Sequence, residues 1–365
     1  MSAEYRFYGS WPSYYTAKGR AYMQYKRLPY TNEGASMVEY ATVIMPRTGK
    51  MFIPVVMTPN DEPLQDTCDI IDELERRHPE RPVVPADPLL RFASKLMEYY
   101  ADECLIYPGL HMRWHYGDEN TEWAMSEFER VATTRGSDVV PPLRGFSKKI
   151  QMYAAALGMT DDASKAAVRR VFDRLMAKLD AHFRRHQFLL GATPSLGDIA
   201  LMGPIFGHFY RDPYSAQILR REYPRVCTWA EDMNLSNAVP ADRGWELSES
   251  SLEVFKEIGA AFGQFIPDLS RALDRTITAM PSGAVLERIF DQQFDTKIMD
   301  TPIHLGAINS HWAYKLQRVR DAYQEASATD RGRIDSFLKD IGCTGSFERT
   351  TSWRVSKNAE GWLVR

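Results

Sequence analysis

At 365 residues, with 44% hydrophobic and 25% charged residues, the chain is long enough for roughly two to three domains and too apolar for a disordered protein. A net charge of −3 gives no electrostatic case for nucleic acid. The N-terminus, Met-Ser-Ala-Glu-Tyr-Arg-Phe-Tyr, lacks a basic segment followed by an apolar one, so no signal peptide is expected, and no apolar run approaches the roughly 20 residues of a membrane helix. Cys68, Cys104, Cys227 and Cys343 are scattered, without disulfide-framework or zinc spacing, which points to free thiols in a reducing cytoplasm.

Tyr5 to Tyr8 alternates aromatic and polar residues as a short strand does, and Gly9-Ser10-Trp11-Pro12-Ser13 follows as a turn. Ser13 or a neighbour caps a helix running from Tyr15 to Leu28, with basic residues toward its C-terminus as the helix dipole prefers. Tyr30 to Glu33 reads as a second strand, and Ser36 to Gly49 is ambiguous. Phe52 to Thr58 is an apolar, partly β-branched run, ended by the turn residues Pro59-Asn60-Asp61-Glu62-Pro63, so a hairpin is expected. Asp66 or Thr67 then caps a helix whose apolar face is Cys68, Ile70, Ile71 and Leu74. Pro54 marks an edge or a turn, often as the cis isomer. It frees the N–H and C=O of Ile53 for an extended peptide, while the helix start at Thr67 offers oriented N–H groups to a carboxylate. Together these features suit a small acidic peptide.

In this order and spacing the chain resembles the glutathione transferase superfamily. Ser13-Tyr14-Tyr15-Thr16-Ala17-Lys18-Gly19-Arg20 resembles the family's first active-site helix, and Ile53-Pro54-Val55 resembles its cis-proline turn. Asp66-Thr67, with Ile70 and Leu74, resembles its γ-glutamyl-binding helix start, although the family usually has Glu or Gln followed by Ser there. The resemblance implies an α/β thioredoxin-like domain over residues 1–85, followed by an all-helical domain over 88–246.

The proline-rich His78 to Pro85 segment is the expected boundary. Beyond it, Pro88 to about His115 and Thr121 to Ala132 read as helices. Thr133 to Gly145, with Pro141-Pro142, reads as a loop, and helices resume over Phe146 to Leu157 and Asp161 to His186. Ser195 and Asp198 form a capping box at the start of a buried helix. Both this box and Pro224 to Trp229 resemble features of the family's helical domain. Residues 247–365 form a mostly helical extension packed on the core: Leu252 to Ile277, Val285 to Phe294, Tyr314 to Tyr323 and Arg331 to Ile341 read as helices, followed by an irregular tail. That extension could complete a substrate pocket, cover a dimer surface or form a separate module.

For chemistry, the resemblance points first to Ser13, whose hydroxyl and local N–H dipoles would stabilise a glutathione thiolate; an ordinary N-cap is the competing role. Tyr14, Tyr15 and Ser10 are alternatives, since a phenol or another hydroxyl can donate the same bond. Without cysteine at this position, thiol exchange of the glutaredoxin type is not expected. Asp66 would take the ammonium of the γ-glutamyl group, Thr67 its carboxylate, Ile53 and Pro54 the peptide edge, and Lys50 the glycine carboxylate. His111 with His115, and His182 with His186, share helical spacing but lack the acidic partner of a zinc-protease motif, so no metal is expected. Tyr99, Tyr100, Tyr107, Met112, Trp114 and Tyr116 would line an acceptor pocket or fill the bundle core. Arg184-Arg185 and Arg220-Arg221 read as solvated helix faces.

The implied activity is a cytoplasmic, homodimeric glutathione transferase-like enzyme. It uses glutathione as cosubstrate against a small apolar electrophile, with no metal, nucleic acid or membrane partner. A noncatalytic glutathione- or protein-binding scaffold and glutathione-dependent ether cleavage or isomerisation of an aromatic compound are the competing readings, which fold alone does not separate.

Overall fold

The computed structural model describes residues 4–139, 144–240, 243–287, 289–290, 293–357 and 362–365; the Pro141-Pro142 pair lies outside the described residues. The N-terminal unit runs β1 (Tyr5–Tyr8), α1 (Tyr14–Lys26), β2 (Tyr30–Asn32), α2 (Met37–Glu39), α3 (Met45–Thr48), β3 (Val55–Met57), β4 (Pro63–Gln65) and α4 (Thr67–Arg77). Its sheet has the order β2-β1-β3-β4, with β1 parallel to β2 and antiparallel to β3, and β3 antiparallel to β4. Side-chain alternation sorts the two faces: Phe7 and Val56 join the main core, while Tyr8, Val55 and Met57 pack with Ala35 and Ile44. This is a thioredoxin-like domain. The ambiguous Ser36 to Gly49 segment is helical, and its start is a capping box in which Ser36 N donates to Glu39 Oε2 at 2.8 Å.

The helical domain comprises α5 (Pro88–Tyr99), α6 (Ile106–Trp114), α7 (Gly117–Ala132), α8 (Arg144–Ala156), α9 (Asp162–Phe183), α10 (Leu196–Leu201), α11 (Pro213–Glu222) and α12 (Pro224–Asn234). The continuous helix expected over Pro88 to His115 is interrupted by a π-turn at Tyr100–Cys104, where Leu105 N donates to Tyr100 O at 2.9 Å. Asp198 joins two motifs that are separate in sequence. Its carboxylate accepts from Ser195 N at 2.9 Å, closing the capping box, and from Trp229 Nε1 at 3.2 Å. Arg184, Arg185, Arg220 and Arg221 are exposed, and Tyr99, Tyr100, Tyr107 and Met112 are buried in the core.

The extension contributes α13 (Glu249–Phe262), α14 (Phe265–Thr278), short strands β5 (Val285–Leu286), β6 (Ile289–Phe290), β7 (Phe294–Ile298), β8 (Thr301–Leu305) and β9 (Ile308–Asn309), then α15 (Ser310–Gln324), α16 (Ala328–Asp340), β10 (Val355–Lys357) and β11 (Trp362–Val364). Helix α13 packs on α9, with Arg174 making bonds of 2.7 and 3.1 Å to Glu257, and α15 packs on α5. The helix expected over Val285 to Phe294 is not formed. Val285 and Leu286 instead pair with Leu363 and Trp362, and Ile289 and Phe290 pair with Asn309 and Ile308. The tail is likewise not irregular, since β10 and β11 pair antiparallel and Trp353 is buried with its Nε1 donating to Asp274 at 3.1 Å. Among the described residues, no helix is long and apolar enough to cross a membrane, and the four cysteines are buried and free.

Candidate active site

A cavity of about 870 Å³ is bounded by all three parts of the chain. The N-terminal domain supplies Ser10, Ser13, Lys50, Ile53, Pro54, Asp66 and Thr67 to its wall, so the predicted peptide-binding positions converge. Ser13 is the N-cap of α1, and its Oγ accepts Thr16 N–H at 3.2 Å. That bond uses an oxygen lone pair and leaves the hydroxyl hydrogen available to donate, so the capping and chemical roles are compatible. Arg113 fixes the preceding turn: it donates to Pro12 O at 2.9 Å while making two bonds of 2.7 Å to Asp212. Close packing seats the same turn, because a Cβ on Gly207 would meet Tyr14 Cα at 3.2 Å.

Tyr14 and Tyr15 are differently placed. The phenol of Tyr14 donates to Ala101 O, and that of Tyr15 donates to Asp102 O at 3.1 Å. The π-turn explains the first bond: Leu105 N reaches back to Tyr100 O, not to Ala101 O as in an α-helix, so the Ala101 carbonyl is left for a side chain. Burial raises both phenol pKa values well above the ordinary range, with neighbouring anions adding to the effect. Both hydroxyl hydrogens are therefore engaged in joining the domains.

Across the cavity, the Ile53-Pro54 peptide bond is cis, and Asp66 is the N-cap of α4, accepting Cys68 N–H at 3.0 Å. Asp66 has φ 80° and ψ 128°, a region that residues with a Cβ avoid. Its carboxylate is held in that place from the extension: His311 Nδ1 lies 3.2 Å away and Lys315 Nζ lies 3.8 Å away. Burial opposes ionisation, but Lys315 and His311 overcome it and hold the Asp66 carboxyl well below the usual carboxylate range. A ligand ammonium at Asp66 would therefore share its carboxylate with His311 and Lys315. Thr67, 2% exposed at the first helical position, and Ile53 line the same cavity. For Lys50, burial and the nearby Lys357 lower the ammonium pKa.

Beneath this wall lies a buried charge network absent from the sequence expectations. Lys18 Nζ lies 2.7 Å from Glu98 Oε1 and 2.7 Å from Asp102 Oδ2, while Lys315 Nζ lies 2.7 Å from Asp102 Oδ2 and 2.8 Å from Cys68 Sγ. Arg318 bridges Glu98, at 3.4 Å, to Asp72. Cys68, Glu98 and Asp102 are close enough together to ligate a metal, but two ammonium groups already lie against these donors. The helical domain lines the rest of the cavity with Glu103 and apolar residues including Ile106, Leu110, Trp114 and Phe128. Of the aromatic cluster singled out in the sequence, Trp114 reaches the wall; Tyr116 stacks on Tyr214. His111 and His115 bond to each other through their Nδ1 atoms at 2.8 Å, and His182 and His186 stack. Of the missed groups, Glu98 and Asp102 had a readable signal in their four-residue spacing, as did His311 and Lys315.

Comparison with known proteins was made against this geometry. Residues 7–82 match the family model for the glutathione S-transferase N-terminal domain, and residues 162–232 match that for the C-terminal domain. No curated protein matches the sequence. Among solved structures, the beta-etherase LigF from Sphingobium sp. is 18% identical, with 65% of this chain and 96% of that chain covered and a TM-score of 0.43. A glutathione S-transferase from Methylobacillus flagellatus with glutathione bound is 19% identical, covering 65% and 100% at a TM-score of 0.40. FzlA from C. crescentus is 15% identical, covering 68% and 97% at a TM-score of 0.44. With matches to both family domains, in order and on the two units that the structure folds as thioredoxin-like and helical, residues 7–82 and 162–232 belong to the glutathione transferase superfamily, and the chain continues past the second match with further helices and short strands.

Proposed function

We propose that this protein is a glutathione transferase in which Ser13 stabilises the thiolate for attack on a small, largely apolar electrophile. The observation that carries this reading is the Ser13 hydroxyl, seated on the cavity wall at the N-terminus of α1 with its hydrogen available. A hydrogen bond and the positive end of the helix dipole both favour a sulfur anion there. Ile53 would pair with the peptide backbone of glutathione, Thr67 would take the γ-glutamyl carboxylate through its hydroxyl and N–H, and Lys50 would face the glycine carboxylate. Pro54 shapes the edge. Asp66 acts here as the anchor for His311 and Lys315, and the Lys315 ammonium adds positive charge near Thr67. Ile106, Leu110, Trp114 and Phe128 form the apolar end for the electrophile.

Calorimetry with glutathione, together with the ultraviolet absorbance of the bound thiolate as a function of pH, tests the reading. Ser13→Ala is expected to retain glutathione binding within a few-fold, raise the pKa of the bound thiol and lower turnover. An unaltered thiolate titration in that variant would remove Ser13 from this role; absence of glutathione binding to the wild type would remove the transferase reading.

A further inference from the structure

Asp102 and Glu103 are adjacent carboxylates on the π-turn, yet they have opposite surroundings. Asp102 is fully buried and paired with Lys18 and Lys315 through Oδ2. Glu103 is 5% exposed and lines the cavity that Ser13 also lines. Among the described residues, no hydrogen bond or ion pair holds its carboxyl. A wide turn accommodates one more residue than an α-helical turn and re-aims the side chains that follow, a device frequent at functional sites.

The groups around Glu103 come from several elements. Lys315 and His311 face it from α15, Asp66 from the start of α4, the phenols of Tyr14 and Tyr15 from α1, that of Tyr107 from α6, and Asp102 from its own turn. Lys149 of α8 lines the same cavity. Burial dominates the balance: it pushes the Glu103 carboxyl up to about 7 even though Lys315 and His311 oppose the rise. Both protonation states are thus populated near neutral pH, as proton transfer requires.

Resting on the glutathione reading above, we propose that Glu103 carries the proton between the glutathione thiol and an oxygen atom of the second substrate, so that the preferred electrophile is one whose attack generates an oxyanion. Epoxides, activated aryl ethers and conjugated carbonyl compounds belong to this class. The Glu103 carboxylate accepts the thiol proton. The resulting thiolate, hydrogen-bonded to Ser13, forms a carbon–sulfur bond as a carbon–oxygen bond breaks, or as a conjugated electron pair moves onto a carbonyl oxygen. That oxyanion then takes the proton from the Glu103 carboxylic acid. The carboxylate is restored, no proton is released overall, and no oxidant or reductant is consumed. With an aryl halide, by contrast, the halide leaves unprotonated and Glu103 returns its proton to water.

Two measurements test this. In wild-type protein at pH 7, glutathione binding is followed by calorimetry in buffers of different ionisation enthalpy, with S-methylglutathione as the control that has no thiol proton and thiolate absorbance to show ionisation. Retention of part of the thiol proton by the protein as the thiolate forms is expected, whereas its full release to buffer would overturn the proposal. Then kcat is followed across pH for wild type, Glu103→Gln and Glu103→Asp with styrene oxide and with a nitro-activated aryl chloride. Glu103→Gln is expected to lose on the order of 100-fold with the epoxide, together with the pH limb near neutrality, and less than tenfold with the aryl chloride. Glu103→Asp is expected to recover part of the epoxide activity. Equal losses with both electrophiles, or no loss with either, would overturn the role of Glu103 while leaving glutathione chemistry intact. If wild-type protein fails to bind glutathione, or binds it and turns over neither electrophile, the transferase reading itself fails.

Discussion

Lys315 Nζ, on the second turn of α15, lies 2.7 Å from Asp102 Oδ2 in the π-turn of the helical domain. Lys18 of α1 meets the same oxygen at 2.7 Å, so one carboxylate joins the thioredoxin-like domain, the helical domain and the extension. Burying these charges is costly, and each ammonium makes the other's carboxylate partner tolerable. The consequence for function is positional. The residues that wall the cavity beside Thr67 are held by a network that closes only when the extension is docked.

Lys315→Met is therefore expected to destabilise the protein by about 3 kcal/mol, the lower end for breaking a buried pair, because Lys18 continues to compensate Asp102. Urea unfolding measures the loss. A double-mutant cycle with Asp102→Asn should show strong non-additivity; purely additive losses would mean that the contact carries no energy.

Tyr14→Phe is expected to act on stability and not on the thiol. It removes the phenol that satisfies the Ala101 carbonyl and leaves that buried acceptor without its donor, a cost of about 1–3 kcal/mol. The thiolate titration of bound glutathione should be unchanged. A raised thiol pKa in this variant would return Tyr14 to the list of activating groups.

The strands, the proline turn and the capped helix of the N-terminal domain were legible because their signals are local: alternation over Tyr5 to Tyr8, a proline beside Ile53, and a cap before Cys68; the helical turns over Ser36 to Gly49 were not. The Ser195–Asp198 box was legible for the same reason. Val285 to Phe294 was misread as helix because its partners are Asn309 and Ile308, about twenty residues onward, and Leu363 and Trp362, nearly eighty residues onward, and pairing with distant strands leaves no trace in local periodicity. The partners of Asp66 were not legible, because nothing in its sequence neighbourhood announces His311 and Lys315, which arrive through the tertiary fold. Tyr14 and Tyr15 were open as thiol partners until the π-turn presented them with carbonyls.

Stability should depend on pH in a manner that isolates Glu103. Its folded pKa of about 7 lies above the unfolded value of roughly 4.3, so its contribution is fully present at low pH and is lost as pH rises through 7. Asp66 works in the opposite sense: its depressed pKa gives a contribution present above roughly pH 4 and lost only as pH falls below that. Between pH 5 and 8 the Asp66 contribution is constant, and Glu103 makes the wild type weaken. Urea midpoints at several pH values should thus fall for wild type relative to Glu103→Gln. Parallel profiles would show that Glu103 keeps an ordinary pKa.

The final prediction concerns the seam between the extension and the helical domain. Phe262, at the end of α13, is fully buried, with ring centroids 5.7 Å from Tyr100, 5.9 Å from Tyr107 and 5.6 Å from Phe265. Tyr100 opens the π-turn that bears Asp102 and Glu103, so this aromatic contact backs the part of the cavity wall that Glu103 lines. Phe262→Ala removes a large ring from a site whose neighbours belong to different helices and can collapse only in part, which costs about 3–5 kcal/mol. Because Phe262 does not line the cavity, glutathione affinity measured well below the new melting temperature should stay within a few-fold, while local exchange of the Tyr100 to Leu105 amides should accelerate. A loss below about 1 kcal/mol would mean that the extension is not packed here as drawn. Loss of glutathione binding with an intact thermal transition would place Phe262 in the site itself.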